Sequence, residues 1–336
     1  MSVHPHHPYN ILFTSAGRRV ELLRTFQRAY DELGLEGKII AVDVDPLAPA
    51  LQIADVVYVV PHSQSPDYIP AVLSICRREH VNLLFPLIDP DIPILARHRI
   101  VIEQTGASLA VIPSKSLDIV ADKWITMQYF KKIGLPASAS WLPKDQAVLA
   151  QPFPLFIKPR RGSAAQNAFK VRNRKELDFF SEYVPDPIIQ EFLPGPEITA
   201  DIVCDLDGKV LTIVLRQRIE VRAGEVIKCV TVHDAYIEAA CRTIAETLPA
   251  IGPITVQCIL KDSRPYFTEI NARFGGGFPL GVMAGADSSK LLLARMAGLP
   301  LTMASDQYFS GCYFTRYDDT FFLSQGDHDK IARRHL

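Results

Sequence analysis

The sequence has no excess of charge of either sign. Its 36 Lys and Arg residues nearly balance 37 Asp and Glu residues, so the composition does not suggest the basic surface typical of nucleic-acid-binding proteins. The sequence also lacks an apolar run near the roughly 20 residues that cross a bilayer. We therefore expect neither a nucleic acid nor a membrane as a partner. The 48% hydrophobic content among 336 residues predicts a globular protein with a substantial core.

Cysteines at metal-binding or redox spacing are absent as well. The six cysteines are scattered without a CxxC, and several stand in apolar runs such as ITVQCIL, a setting typical of buried free thiols. The first ten residues, MSVHPHHPYN, lack the apolar core of a signal peptide, and residues 1–9 are predicted to be disordered. These features predict a reducing, cytoplasmic compartment and no structural zinc.

A glycine-rich dinucleotide fingerprint is missing from the place where it would be expected. The segment TSAGRR follows an apolar strand and opens a helix. It contains one glycine instead of the three of GxGxxG, and two arginines stand where a pyrophosphate would approach the backbone. This disfavours a nicotinamide or flavin cofactor. A small anion held by the helix N-terminus and by Arg18 or Arg19 fits the segment better.

The first third of the chain alternates strands and helices. Over residues 10–113 this alternation predicts a Rossmann-like parallel sheet that is covered on both faces. The helices are predicted at 20–33 and 66–80, and the strands at 11–14, 38–45, 55–60, 82–89 and 108–114. Ligands of such sheets bind at the carboxyl ends of the strands, here near 15–19, 43–45 and 87–91.

The pattern changes after residue 113. A helix predicted over 115–133 ends at Gly134, and short alternating runs with close turns follow, including the hairpin turn DLDG at 205–208. This predicts an antiparallel α+β unit over 114–310. Residues 311–336 are predicted to form a closing strand pair and a polar terminus, without a role in the chemistry.

One strand in this unit places polar side chains on a single face. In TEINAR, Glu269, Asn271 and Arg273 stand at every second position, so an extended chain directs all three to the same side. Three glycines, 275–277, follow. Taken alone, the pattern also fits the solvated face of an ordinary antiparallel strand. Two further polar residues stand in apolar strands, where an idle polar group is costly: Lys158 in FIKP and Gln257 in ITVQCIL.

These residues occur in the order of a known family. Lys123 comes first, then Lys158 before the loop RRGSAAQ, then QEFLPGPE, Gln257 and the TEINAR strand. In this order the chain resembles the ATP-grasp superfamily over about residues 10–310. Within that superfamily it is most similar to a single copy of the ATP-binding half of the carbamoyl phosphate synthase large chain. The resemblance implies a pre-ATP-grasp domain followed by an ATP-grasp fold of two α+β subdomains, with a lid at about 120–190.

The resemblance also implies a role for each matching position, with ATP and Mg²⁺ or Mn²⁺ as cofactors. Arg273 and Lys158 are the catalytic cations at the transferred phosphate. The metal-side positions are Gln257, Glu269 and Asn271. The positions that contact ATP are Lys123, Lys158, Gln190, Glu191, Phe192, Leu193, Glu197 and Gln257.

The implied reaction is an ADP-forming ligation of a small carboxylate to an amine through an acyl phosphate. From geometry alone, we expect the substrate near Ser15, Gly17, Arg18, Asp89 and Gly276. The loop 160–168 has less glycine and serine than is common in the family, so a catalytically silent ATP-binding sensor or scaffold stays open, as does a small-molecule kinase. A homodimer is compatible with the sequence.

Overall fold

Three sheets organise the chain. The structure, a computed structural model, describes residues 8–162, 166–222, 224–300 and 307–334, so the predictions made for residues 1–7 and 163–165 lie outside the described part. The strands are β1 Asn10–Thr14, β2 Ile39–Asp43, β3 Val56–Val59, β4 Val81–Pro86, β5 Ser108–Leu109, β6 Ser140–Trp141, β7 Leu155–Pro159, β8 Phe169–Val171, β9 Pro187–Glu191, β10 Glu197–Cys204, β11 Val210–Arg222, β12 Glu225–Val232, β13 Gly252–Lys261, β14 Arg264–Asn271 and β15 Tyr313–Thr315. The helices are α1 Val20–Leu33, α2 Tyr68–Arg78, α3 Asp91–Arg97, α4 Arg99–Glu103, α5 Leu117–Ala121, α6 Lys123–Lys132, α7 Arg174–Tyr183, α8 Ala235–Thr247, α9 Phe278–Met283, α10 Ser288–Met296 and α11 Gln325–Ala332.

The N-terminal sheet is parallel, with the strand order β3-β2-β1-β4-β5. Helix α1 covers the predicted 20–33 and ends at Gly34, which takes the left-handed conformation that glycine tolerates best. Phe13, Phe26 and Phe85 form an aromatic cluster with Phe274 from the second half of the chain, with ring centroids 5.2–5.9 Å apart. The cluster packs the end of β14 against the parallel sheet.

The second sheet is antiparallel and has the order β14-β13-β10-β11-β12-β15. Its two faces differ in polarity because side chains alternate along each strand. One face is apolar and packs in the core with α8 through residues such as Ile202, Ile213, Ile244 and Val256. The other face carries the polar residues of the site described below. A third, antiparallel sheet with the order β6-β9-β7-β8 has its own small core, which includes Leu177 of α7.

The predicted fold class is therefore confirmed: a parallel-sheet unit is followed by antiparallel α+β units. Several elements differ from the sequence prediction. The strand expected at 108–114 is only two residues long, and α3 and α4 fill the stretch after β4, where no helix was predicted. The helix expected at 115–133 is broken at Asp122, whose extended backbone and side-chain hydrogen bond to the amide of Trp124 start α6 anew.

The C-terminal segment also differs from the expected strand pair. A single strand, β15, pairs with β12, and helix α11 follows it. The carbonyl of Arg334 then accepts a hydrogen bond from the amide of Val59 in β3, so the segment returns to the edge of the parallel sheet. No helix in the described ranges is long and apolar enough to cross a membrane.

Candidate active site

The register of the antiparallel sheet aligns the predicted polar residues. Gln257 of β13 is opposite Glu269 of β14 on one side and Thr199 of β10 on the other, and Asn271 is opposite Thr255. Directly opposed residues share a face of a sheet. A bulge in β14 next to Gln257 keeps Glu269 and Asn271 in this alignment. The alternation read from TEINAR therefore corresponds to a real polar surface.

This polar surface forms one wall of a cavity of about 540 Å³. The third sheet, which carries β7 and β9, forms the opposite wall. The cavity brings together the positions predicted for ATP, the metal and catalysis: Lys123, Lys158, Gln190, Glu191, Phe192, Leu193, Glu197, Gln257, Glu269, Asn271 and Arg273. Its volume falls in the range of about 300–1,000 Å³ that is usual for small-molecule sites.

Lys158 points from β7 into this cavity. Burial lowers the pKa of its ammonium, the nearby charge of Glu269 partly restores it, and Lys123 lowers it further. A lysine under these conditions is stabilised by an added anion, since a negative ligand offsets both the desolvation and the repulsion between the two cations.

The second lysine is held by the loop that follows β7. The Lys123 Nζ atom donates a hydrogen bond to the Gly162 carbonyl at 2.7 Å. The preceding residue, Asp122, is fully buried and accepts hydrogen bonds from Arg160, the shorter at 2.6 Å, and lies 3.0 Å from a guanidinium nitrogen of Arg161. Burial raises the pKa of Asp122, but the bonds to Arg160 outweigh it and hold the pKa below its usual range. The sequence reading missed Asp122, which anchors the start of the loop.

Contacts with neighbouring side chains hold Gln190, Phe192 and Glu197 in place along the first cavity. The Gln190 side chain is buried and donates to the Ser140 hydroxyl at 2.9 Å. The Lys170 Nζ atom lies 3.8 Å from the centroid of the Phe192 ring. Glu197 accepts a hydrogen bond of 2.6 Å from Arg218, which leaves its second oxygen for another partner.

A second, smaller cavity of about 220 Å³ adjoins the first. Arg218, Gln257, Asn271 and Arg273 are among the residues that line both. Of the residues expected near the substrate, Asp89 and Gly276 line this second cavity.

The other three residues expected near the substrate are placed elsewhere. The Ser15 hydroxyl donates to the buried carboxylate of Asp91, the Gly17 amide donates to Asp43, and the Arg18 side chain is exposed. None of the three is among the residues that line either cavity. The neighbouring Arg19 lines the second cavity instead. A one-residue difference within TSAGRR cannot be read from the sequence, because both arginines stand at the start of the same helix.

Arg273 connects this region to the N-terminal sheet. Its guanidinium donates two hydrogen bonds to the carboxylate of Asp89, at 2.9 and 2.8 Å, across 184 residues of sequence. Burial lowers the pKa of Arg273, but the charge of Asp89 outweighs this effect and raises it. This two-bonded geometry fixes the plane of the guanidinium at the junction of the two cavities.

The glycine run has a packing role that the sequence did not reveal. A Cβ atom on Gly275 would lie 2.2 Å from the Asp201 carboxylate, and one on Gly277 would lie 2.7 Å from the Arg216 guanidinium. Asp201 and Arg216 form a buried ion pair at 2.6 Å. Two of the three glycines, Gly275 and Gly277, are therefore required by close packing against this pair. Gly275 and Gly276 also line the second cavity.

The donor set on the polar wall fits a magnesium ion that is shared with a phosphate group. Glu269 supplies a carboxylate and Gln257 and Asn271 supply amide oxygens. No cluster of three or more His, Cys, Asp or Glu side chains suited to a metal occurs in the described part of the chain. Mg²⁺ commonly takes one or two protein ligands and completes its octahedron with phosphate oxygens and water.

Comparison with known proteins agrees with this geometry. A family model described as an ATP-grasp domain matches residues 120–277. The chain contains an ATP-grasp domain. A second model, described as a PylC-like N-terminal domain, matches residues 11–110, ahead of the ATP-grasp domain. The resemblance predicted from the order of the sequence motifs is confirmed at this level.

Solved structures share the fold of this chain at low sequence identity. The biotin carboxylase domain of the 2-oxoglutarate carboxylase of Hydrogenobacter thermophilus, in complex with MgADP and bicarbonate, has a TM-score of 0.70 and 18% identity, covering 89% of this chain and 72% of that one. The L-amino acid ligase of Bacillus licheniformis has a TM-score of 0.64 and 19% identity, covering 86% and 74%.

A relative with higher identity matches over a shorter stretch. A D-alanine–D-alanine ligase of Marinomonas sp. (strain MWYL1) is 31% identical over 97 residues, which are 26% of this chain and 31% of that ligase. The match spans about a third of the ligase's length.

Proposed function

We propose that the protein is an ATP-dependent ligase that activates a small carboxylate as an acyl phosphate. An amine then displaces the phosphate, and ADP and phosphate are released. The observation that carries this proposal is the 540 Å³ cavity, in which Lys123 and Lys158 line the same space as one carboxylate and two amides of the polar wall. An ADP complex of N5-carboxyaminoimidazole synthetase from Staphylococcus aureus, with a TM-score of 0.69, and the ligase names of several relatives support the same reaction class.

In this proposal the nucleotide lies between the two walls of the first cavity. Glu191, Phe192 and Leu193 contact the adenine, Glu197 contacts the ribose, and Lys123 and Lys158 contact the phosphates. Glu269, Gln257 and Asn271 would hold Mg²⁺. When bound, the metal neutralises charge on the β- and γ-phosphates during transfer.

The chain's own contribution to the transfer is orientation and fixed charge. The Arg273 guanidinium is held by Asp89 at the junction of the two cavities, where a carboxylate in the second cavity would meet a γ-phosphate in the first. Lys158 faces the same space from β7. Charges that are already positioned stabilise the transition state without reorganising during the reaction.

An ADP-release assay with pools of small carboxylic acids, with and without pools of amines, tests this function. The proposal predicts ADP and phosphate formation that depends on an acid, with a stable product only when an amine is present. Tight MgATP binding without ADP formation would instead identify a sensor or scaffold. A stable phosphorylated acid formed without an amine would identify a kinase.

We also propose a cytoplasmic setting and a homodimer for this ligase. We expect its substrates to be small molecules, because the names of two similar proteins, a D-alanine–D-alanine ligase and an L-amino acid ligase, indicate small-molecule substrates for those proteins. Light scattering on the purified chain tests the dimer, and a monomeric mass at micromolar concentration would contradict it.

A further inference from the structure

The second cavity is surrounded by paired arginines and one that has no carboxylate partner. Arg19 lines the cavity, and no described carboxylate lies within 4.0 Å of its guanidinium. The other arginines around the cavity each have an acid: Arg216 with Asp201 at 2.6 Å, Arg218 with Glu197 at 2.6 Å, Arg273 with Asp89 at 2.8 Å and Arg316 with Glu225 at 2.6 Å.

The surroundings of Arg19 favour an anion. Burial, with the positive charges of Arg273 and Arg316, lowers the pKa of Arg19 to about 10, and the charges of Glu225 and Asp89 offset only part of this. Its Nη1 atom would lie 3.4 Å from a Cβ on Gly276, so the guanidinium faces the glycine run. A bound carboxylate would supply the counter-charge that the described residues do not.

Two further polar atoms on this cavity lack a partner. The Thr199 hydroxyl and the Arg218 Nε atom are both buried and make no hydrogen bond to any described residue. Thr199 is only 1% exposed. A buried polar group without a partner is destabilising, so a hydrogen bond to a ligand oxygen here would be favourable. Arg218 borders both cavities, whereas Arg19 borders only the second.

The second cavity therefore offers two binding points for anionic oxygens. Thr199 and Arg218 form the one near the junction with the first cavity, and Arg19 forms the one farther from that junction. The volume of the second cavity, about 220 Å³, is less than half that of the first cavity, about 540 Å³, so only a small ligand fits. Leu87, Ile88 and Val226 provide apolar contacts between polar neighbours. Asp89 and Glu225 are already paired with arginines, which disfavours a substrate ammonium at this place.

We propose that the second cavity binds a small dicarboxylic acid of about four or five carbons. Thr199 and Arg218 hold the carboxylate that reacts, and Arg19 holds the distal carboxylate and so determines specificity. The assignment of the reacting carboxylate rests on the proposed ligase function, whereas the distal site rests on Arg19 alone.

Calorimetry on the full chain tests this inference. Succinate and glutarate are compared with butyrate and valerate, which match their carbon numbers, in the presence of Mg²⁺ and a non-hydrolysable ATP analogue. The wild type should bind each dicarboxylate at least tenfold more tightly than its monocarboxylate. Arg19→Met should abolish this difference, Arg19→Lys should keep part of it, and Arg24→Met, a change at an exposed arginine on the same helix, should leave it unchanged.

The nucleotide analogue should bind all four proteins alike, which shows that the variants are folded. The inference is overturned if no acid binds, if monocarboxylates bind as tightly as dicarboxylates, or if Arg19→Met retains the preference. ADP release, measured separately, distinguishes the two proposals. Binding that depends on Arg19 but gives no ADP supports the carboxylate site and contradicts the ligase function. ADP formation from monocarboxylates that does not depend on Arg19 supports the ligase function and contradicts the carboxylate site.

Discussion

Lys158 is a charged side chain in a surrounding that disfavours its charge. A lysine in an apolar strand suggested a function from the sequence, and the structure places it across the cavity from Glu269 and near Lys123. Such residues can be found from sequence because an unexplained charge in an apolar strand is conspicuous. Arg19 and Arg316 could not be assigned in this way. Arg19 stands next to Arg18, which is equivalent to it in the sequence, and Arg316 stands in a C-terminal segment that contains no recognisable motif.

The pH dependence of ATP use should report the state of Lys158. Its pKa is lowered mainly by burial, so the ammonium loses its proton at a lower pH than an ordinary lysine does, and kcat/KM for ATP should fall in that alkaline range. In Lys158→Arg the charge persists to higher pH, so this fall should move upward or vanish. Lys132→Arg, at an exposed position, should keep the wild-type profile, and an unchanged profile in Lys158→Arg would remove Lys158 from phosphate binding.

The same shift affects stability in a defined direction. Between the lowered folded-state pKa and the ordinary one, the unfolded chain binds the Lys158 proton more readily, so this group makes the free energy of unfolding rise with pH. Replacing Lys158 by an uncharged residue removes this contribution.

Glu269 should be required for turnover and dispensable for folding. Glu269→Gln keeps the shape of the side chain but removes the only carboxylate of the proposed metal set, so kcat should fall by about two to three orders of magnitude, roughly 3–4 kcal/mol. Steady-state ADP release at saturating Mg²⁺ measures this loss. Glu246→Gln, on the exposed side of α8, serves as the control. A Glu269→Gln enzyme with wild-type kcat would contradict the metal role.

At the scale of elements, the β13–β14 hairpin was the most predictable part of the site. The alternation of polar and apolar residues in TEINAR predicted the polar face of β14. The antiparallel register with β13 then places Gln257 opposite Glu269. The breaks in other elements were less predictable because they depend on distant partners. Asp122 interrupts the helix expected at 115–133, and its carboxylate is stabilised by Arg160 from the loop after β7.

The glycine run permits a test at this scale. Gly277→Ala would place a methyl group 2.7 Å from the buried Arg216 guanidinium, so we expect a loss of about 1–3 kcal/mol in the free energy of unfolding, as is usual for overpacking. Gly276→Ala is the matched control, since its nearest neighbour would be Arg19 at 3.4 Å. Chemical denaturation measures both. Equal stabilities of the two variants would show that the Asp201–Arg216 pair can shift.

At the scale of the whole molecule, the fold class followed from the change in pattern near residue 113, but the arrangement of the site did not. Strand alternation and helix spacing are local signals. The contact of Arg273 with Asp89 joins residues 184 positions apart, and the Phe274 ring packs among aromatic residues of the parallel sheet. Such contacts depend on how the units pack together, which composition and periodicity do not specify.

The cysteines give a test of the packing of the whole chain. Five of the six are buried and Cys312 is partly exposed, all without disulfides. Burial raises the pKa of Cys76 to about 11 and that of Cys204 and Cys258 to about 12. We expect one thiol to react rapidly with DTNB in the native protein and six to react after denaturation. Rapid reaction of several native thiols would contradict this packing.

In the proposed reaction, a carboxylate attacks the γ-phosphate of ATP at the junction of the two cavities. The most direct measurement is ³¹P NMR of the products formed from MgATP, an amine and small carboxylic acids labelled with ¹⁸O in the carboxylate. We expect ADP and inorganic phosphate that carries one ¹⁸O atom from the acid. AMP with pyrophosphate, or phosphate without the label, would contradict it.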